Sequence, residues 1–349
     1  MHTRTAGIIR VGIAGLGRAG WSIHAQYLAS LGDKFRIVAV SDPDAGRQRE
    51  AQERFGCRTY SDFADLVQDR EIEIMVVASP SHLHAEQSIA AMKAGMHVLV
   101  EKPMANSLAD VDRMIAVAAQ TDRLLTVNHN YRNMPAFLKL REVFESGRLG
   151  RIVLIRNAWH GFYRRWDWQT LREYGGGVLN NYGSHAVDRA LQLLGDTEPQ
   201  VFCHMERTPL YAGDAESHVK IILQAKDWPM IDIELTNVCC YPQDEWLVMG
   251  TQGGLRGSMR QLRWKYFDPQ TLPERPLSRV PTPDRSYNNE ELPWQEEVWE
   301  APDEDAWGYR RVWLDIHASL RQGAPLAITP DSVRRAIVVL EQCRQLSPV

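Results

Sequence analysis

The glycine-rich turn Gly15-Leu16-Gly17-Arg18-Ala19-Gly20 limits the folds open to this chain more than any other stretch. It satisfies G-x-G-x-x-G at every position. An apolar strand over Arg10–Ala14 leads into it and a helix over Trp21–Leu31 leads out. Gly15 permits the tight turn and Gly17 lets a pyrophosphate approach the backbone. Gly20 lets the helix lie close to its strand, and the helix N-terminus favours an anion. Arg18 and Ala19 ride on the same turn. A second strand, Phe35–Asp42, ends in an acid 22 residues after Gly20, which is the context such a loop requires. Asp42 can accept hydrogen bonds from both hydroxyls of an adenine ribose and would repel a 2′-phosphate. NAD is therefore favoured over NADP. Two readings stay open beside this: Asp42 as the start of a turn with Pro43 and Asp44, and Arg47 as a partner for NADP.

The alternation continues with an apolar strand over Ile72–Ala78, a helix over Ala85–Ala94 and a strand into Val98-Leu99-Val100. A helix over Leu108–Gln120 and a strand over Leu124–Asn128 follow. Repeated βαβ units predict a doubly wound parallel sheet. At 349 residues the chain is long enough for two domains. The boundaries read as 1–128 for a dinucleotide-binding Rossmann domain and 129–349 for a substrate-binding and oligomerisation domain of α+β type. A net charge of −4 without a basic block argues against nucleic acid as a partner. No apolar run nears the ~20 residues that span a bilayer, so no membrane partner is expected. Met1–Ile9 lacks a leader pattern, and five scattered cysteines without C-x-x-C suit a reducing cytoplasm rather than structural zinc. No metal is expected.

The strand Val98–Val100 ends abruptly in Glu101-Lys102-Pro103. In open α/β sheets chemistry sits beyond the carboxyl ends of strands, and a lysine there is held on rigid backbone. The glycine loop, the Ser79-Pro80…His84 loop, Glu101-Lys102-Pro103 and Asn128-His129-Asn130-Tyr131-Arg132, in this order, resemble the Gfo/Idh/MocA oxidoreductase family. That resemblance covers essentially the whole chain and implies a cytoplasmic NAD-dependent dehydrogenase acting on CH–OH groups. It implies that Ser79, Pro80, His84, Glu101 and Asn128 sit at the cofactor, and that Lys102 contacts both the reacting oxygen and the nicotinamide ribose. It further implies that Tyr131 and Arg132 lie at the mouth between domains.

Ten of the eleven tryptophans fall after residue 150. The run Trp159-His160-Gly161-Phe162-Tyr163-Arg164-Arg165-Trp166-Asp167-Trp168 is dense in aromatics and cations. It reads either as a sugar-stacking wall, with Trp159, Tyr163, Arg164 and Trp166 on the substrate, or as a plug of the domain junction. Gly175-Gly176-Gly177 then enters a helix running to Leu194, on which Asn181, His185 and Asp188 share one face. Histidine has the pKa best suited to proton transfer near neutrality. The segment resembles the family's G-G-G-x-x-x-D-x-G-x-H-x-x-D motif, with Asn at 181 where many members carry Asp. An amide carries no proton or charge, so His185 is expected as the main acid/base, with Lys102 as its partner and Asn181 and Asp188 positioning substrate.

Strands dominate Gln200–Met259. Ile231, Ile233 and Leu235 alternate with Asp232, Glu234 and Thr236, marking a mostly antiparallel sheet with one apolar face. The resemblance implies a homodimer or homotetramer formed through that open sheet. Trp264–Pro302 is rich in proline and reads as an ordered arm crossing the domain or a neighbouring subunit. The cluster Trp307, Arg310, Arg311 and Trp313 reads as core and helix surface. Two alternatives accompany the sugar or inositol dehydrogenase reading. One is an NAD-dependent glycosidase that oxidises, eliminates and reduces again; the other is a nucleotide- or sugar-sensing protein without catalysis.

Overall fold

The computed structural model describes residues 7–282 and 285–349. Met1–Ala6, most of the stretch read for a leader, and Pro283 and Asp284, inside the proline-rich arm, lie outside it. Among the described residues, β1 (Ile9–Ala14), β2 (Phe35–Ser41), β3 (Arg58–Tyr60), β4 (Ile74–Val77), β5 (His97–Val100) and β6 (Leu125–Val127) form the first sheet. All are parallel, in the order β3-β2-β1-β4-β5-β6. Helices α1 (Gln26–Ala29), α2 (Ala45–Phe55), α3 (Phe63–Leu66), α4 (His84–Lys93) and α5 (Leu108–Thr121) supply the crossovers. Every residue of β4 is fully buried, because a strand covered on both faces needs no alternation. The strand order reverses between β1 and β4, which opens a crevice past their carboxyl ends. The glycine turn, Asp42, Ser79, Lys102 and Asn128 follow the carboxyl ends of β1, β2, β4, β5 and β6.

The second sheet follows α6 (Pro135–Glu145). It contains β7 (Ile152–His160), β8 (Gln200–Glu206), β9 (His218–Gln224), β10 (Met230–Thr236), β11 (Trp246–Gly250), β12 (Gly253–Ser258), β13 (Gln261–Tyr266) and β14 (Gln295–Glu300). Its order is β14-β13-β12-β11-β7-β10-β9-β8, antiparallel except where β10 lies parallel to β7. Ile231, Ile233 and Leu235 are fully buried on the helix side, where α7 (Ser184–Leu194) packs on β10. Phe137 of α6 stacks on Trp246 of β11 with ring centroids 5.9 Å apart.

The proline-rich stretch corrects one expectation. Its two ends are strands, since Trp264 lies in β13 and Gln295–Glu300 forms β14, paired with β13 at the sheet edge. The described prolines fall in the exposed connection between them or beyond β14, where no ladder hydrogen bond is forfeited. Helices α8 (Tyr309–Gln322) and α9 (Pro330–Leu346) then return to the first sheet. Trp313 of α8 packs on Phe35 and His24, and α9 packs on α5, α7 and β8.

Candidate functional site

A cleft of about 720 Å³ runs from the adenosine end of the crevice to Lys102. Gly15, Gly17, Arg18, Ala19, Asp42, Ser79, Pro80, His84, Glu101 and Lys102 all line it. Gly15 has φ +89°, and a Cβ there would lie 2.8 Å from the Ala78 carbonyl oxygen. A Cβ on Gly20 would run into the Gly15 carbonyl oxygen, whereas Gly17 faces open space. This is the division of labour a pyrophosphate-binding turn needs, and the cradle fits a dinucleotide. The Asp42 carboxylate accepts from Leu16 N at 2.8 Å and Asp44 N at 3.0 Å, and Arg47 reaches it at 3.4 Å. The ring nitrogens of His84 sit 2.8 Å from the Pro103 carbonyl oxygen and 3.0 Å from that of Ser79, tying two cleft loops together.

Glu101 and Lys102 form the inner end of the cleft. The Glu101 carboxylate is buried and accepts from His24 Nε2 at 2.8 Å and Asn128 Nδ2 at 2.7 Å. Burial pushes its pKa up, but those hydrogen bonds and the neighbouring positive charge outweigh burial and hold it at about 2. Asn128 thus holds Glu101 and does not itself line the cleft. Lys102 donates from Nζ to the Asn181 carbonyl oxygen at 2.9 Å. Burial lowers its pKa to about 8, with Arg18 and Arg165 adding to the fall and Glu101 opposing it.

Behind Lys102, residues His129–Arg132 interlock with α7. Arg132 donates from Nε and Nη2 to Asp188, and both side chains are buried. Arg132 and Asp188, expected to position substrate, are paired with each other inside the protein, and neither lines the cleft. Tyr131 lies flat on His185, with centroids 3.9 Å apart and planes at 10°. Arg189 sits over the other neighbour surface of Tyr131 at 5.2 Å and is itself paired with Glu245 at 2.7 Å. Burial, with Lys102, His129 and Arg189 nearby, drives the His185 pKa well below the ordinary value, so the ring is neutral. His129 falls to about 4, chiefly by burial. Asn181 contributes its carbonyl to Lys102, while its buried Nδ2 has no hydrogen-bond partner among the described residues.

The aromatic run divides by strand parity. Bridges Phe162–Val238 and Arg165–Tyr211 hold it extended, so successive side chains alternate between outward and inward. Tyr163 and Arg165 turn inward. Arg164 and Trp166 turn out, and Trp166 is 78% exposed. The expected pair Arg164 and Trp166 therefore misses by one residue, and Arg165 is the inward cation. Arg165, Asp167, Trp168 and Gln169 in fact line the nucleotide cleft. Trp159 stacks on Tyr182 at 4.8 Å and lies 6.1 Å from Tyr131, whose remaining flank meets Trp307 at 5.9 Å. Trp307, read as core or helix surface, flanks Tyr131 and is partly exposed.

Residues 9–129 match the family profile described as "Oxidoreductase family, NAD-binding Rossmann fold", and residues 137–256 match the GFO/IDH/MocA C-terminal domain. A myo-inositol 2-dehydrogenase of Thermotoga maritima is 31% identical over 254 residues, covering 70% of this chain and 74% of that protein. The chain belongs to the Gfo/Idh/MocA oxidoreductase family. Inositol 2-dehydrogenase 2 of Saccharopolyspora erythraea, another relative, is 28% identical over 296 residues, covering 82% of this chain and 84% of its own. Among solved structures, the putative oxidoreductase YvaA of Bacillus subtilis superposes with a TM-score of 0.83 at 19% identity, covering 99% of this chain and 97% of that one. The WlbA dehydrogenase of Bordetella pertussis, solved with NADH and UDP-GlcNAcA, gives 0.76 at 20% identity over 97% of this chain and 96% of its own. These two likenesses speak to the fold.

Within this Gfo/Idh/MocA member, sequence reasoning passed over His24, His129, Arg165, Arg189 and Trp307. His24 stands one helical turn past Gly20, but the segment Arg18–Ala25 is π-wound, which redirects its side chains. Arg165 needed the strand parity, and Trp307 needed the return of α8. Among the described residues no three His, Cys, Asp or Glu side chains gather as a metal site, and no helix is long and apolar enough to cross a membrane. All five cysteines are free.

Proposed function

We propose that this protein is an NAD-dependent dehydrogenase acting on a secondary alcohol, or the matching ketone, of a sugar, inositol or sugar derivative. The observation that carries the reading is Lys102 Nζ, held at 2.9 Å by the Asn181 carbonyl at the inner end of the nucleotide cleft, beside a neutral His185. A nicotinamide dinucleotide bound in the cleft supplies the hydride acceptor. Asp42 supports NAD over NADP, because its carboxylate stands at the adenosine end with Asp62 also lining the pocket. The named activities of the inositol dehydrogenase relatives support a polyol or sugar, and the partly exposed rings of Trp159, Tyr182 and Trp307 offer flat faces for one.

The electrostatics support exchanging the two expected roles. A base works best with a pKa near the working pH. Lys102, at about 8, meets that condition, whereas His185 is buried beside cations and has no carboxylate at position 181 to stabilise its protonated form. Lys102 therefore takes the hydroxyl proton during oxidation and returns it during reduction. His185 stays neutral and orients the reacting oxygen. Oxidation then rises as pH passes upward through about 8, where Lys102 loses its proton, and ketone reduction falls over the same interval.

The testing experiment follows absorbance at 340 nm with NAD, then NADP, against sugars, inositols, sugar acids and chromogenic glycosides, with aglycone release read in the same wells. A rise with one polyol establishes the dehydrogenase and its substrate class. Aglycone release without net NADH replaces this reading with the redox glycosidase. Tight NADH binding with silence in both channels moves it toward a sensor. We also propose a cytoplasmic homodimer or homotetramer formed through the open sheet face, where Phe202, Met230, Met249 and Val298 are exposed. Sedimentation showing only a 39.8 kDa species would remove that assignment.

A further inference from the structure

We propose that His24 is a positioning residue for Lys102: from the helix that follows the glycine turn it fixes the Glu101 carboxylate, in ionised form, behind the lysine ammonium. This rests on the reading of Lys102 as the proton-transfer group and assigns a residue that the reading does not use.

The geometry is a closed relay. His24 is 1% exposed and donates through Nε2 to Glu101 Oε1 at 2.8 Å. Its other ring nitrogen is buried without a hydrogen-bond partner among the described residues, and the ring edge packs on Trp313 at 5.8 Å. The packing thus holds His24 in one place, and its one hydrogen bond goes to Glu101. Asn128 Nδ2 donates to the same carboxylate oxygen at 2.7 Å, and the Lys102 backbone N–H reaches the other at 3.2 Å. A carboxylate so deeply buried stays charged only while donors of this kind outweigh desolvation.

The groups around Lys102 make that charge count. Arg18 from the glycine turn and Arg165 from the extended ribbon face it as cations, and both disfavour its ammonium form. His129 from the segment after β6 and His185 from α7 are neutral, and Asn181 offers a carbonyl. Glu101 is the group that opposes burial and the two arginines. His24 also lies on the same π-wound segment as Arg18, which lines the cleft. The segment that contributes Arg18 to the cleft therefore also holds the lysine's counter-charge.

The test measures Lys102 directly in the cofactor-free protein, so it does not depend on turnover. Competitive acylation across pH, with the Lys102 peptide quantified by mass spectrometry, gives the midpoint at which its amine becomes reactive. The wild type is expected near 8. His24→Leu takes one donor from the Glu101 carboxylate, which is then held less firmly behind the ammonium, so Lys102 loses support. Glu101→Gln removes the charge outright. Both midpoints are expected to fall, and a fall to about 7 raises the neutral fraction at pH 7 about fivefold, with labelling rate in proportion. His24→Gln, whose amide can still reach Glu101, is expected to keep the wild-type midpoint.

An unchanged midpoint in Glu101→Gln, an isosteric change in the same pocket, overturns the proposal even if His24→Leu does not fold. A fall in Glu101→Gln with none in His24→Leu also overturns it. If the labelling midpoints move as expected but the pH dependence of alcohol oxidation does not follow, the relay stands, and the assignment of Lys102 as base fails.

Discussion

Asp188→Ala removes the carboxylate that holds Arg132 by two hydrogen bonds and leaves the guanidinium where it was. Arg132 is 8% exposed and Asp188 1%, so water cannot replace the lost partner. Among the described residues, only the Ser332 hydroxyl, 2.9 Å from Nη1, remains as a side-chain acceptor that Arg132 already uses. Breaking a buried pair from one side costs about 3–5 kcal/mol, because the uncompensated charge stays in low dielectric. Equilibrium urea unfolding followed by tryptophan fluorescence should show a loss of that size. Asp188→Asn keeps the shape and one acceptor oxygen, so its loss should be smaller. The double change Arg132→Met with Asp188→Leu should recover much of the deficit, since an apolar pair needs no compensation.

The pH dependence has a definite sign. Burial pushes the Asp188 carboxyl up, but His129 and Arg132 outweigh it and the pKa lies below the ordinary value. The pair's contribution is therefore full above the unfolded carboxylate value of about 3.9 and disappears only as pH falls through the lower folded value. The stability gap between wild type and Asp188→Ala should be flat near neutrality and close only in acid. A loss below about 1 kcal/mol accompanied by a raised KM would refute the reasoning and return Asp188 to the substrate.

Three further outcomes are expected. Lys102→Ala should leave NADH binding, read by fluorescence titration, close to wild type while alcohol oxidation falls by about 10²–10⁴-fold; comparable activity would sink the mechanism. Gly20→Ala should abolish tight NADH binding or folding, because its Cβ meets the Gly15 carbonyl, whereas Gly17→Ala should fold and lose only nucleotide affinity, since its Cβ faces open space. Asp42→Ser should narrow the preference for NAD over NADP, measured as the ratio of kcat/KM values, because it removes the charge that repels a 2′-phosphate and frees Arg47.

Much of this site could be read before any coordinates. The glycine turn, Asp42 and the Glu101-Lys102-Pro103 stop declare themselves locally, because each is a short run whose spacing is set by one strand end and one turn. The alternation of β10 fixed its buried face for the same reason. What the linear chain withheld was which polar groups answer one another. Arg132 and Asp188 look like substrate ligands until α7 is seen locked against His129–Arg132, where their charges cancel. Arg164 and Arg165 are neighbours in sequence, and only the bridged ribbon decides which of them faces the cleft.

Composition and spacing by themselves determined a doubly wound nucleotide domain, a lysine at a strand end and a histidine on a following helix, since those depend on interactions within a few residues. Only the tertiary structure decided that His24 holds Glu101, that Trp307 returns to flank Tyr131, and that His185 is neutral while Lys102 titrates near 8. Desolvation and charge pairing are properties of surroundings assembled from distant segments. The same side chain can be an exposed cation or a buried base, and the fold makes that choice.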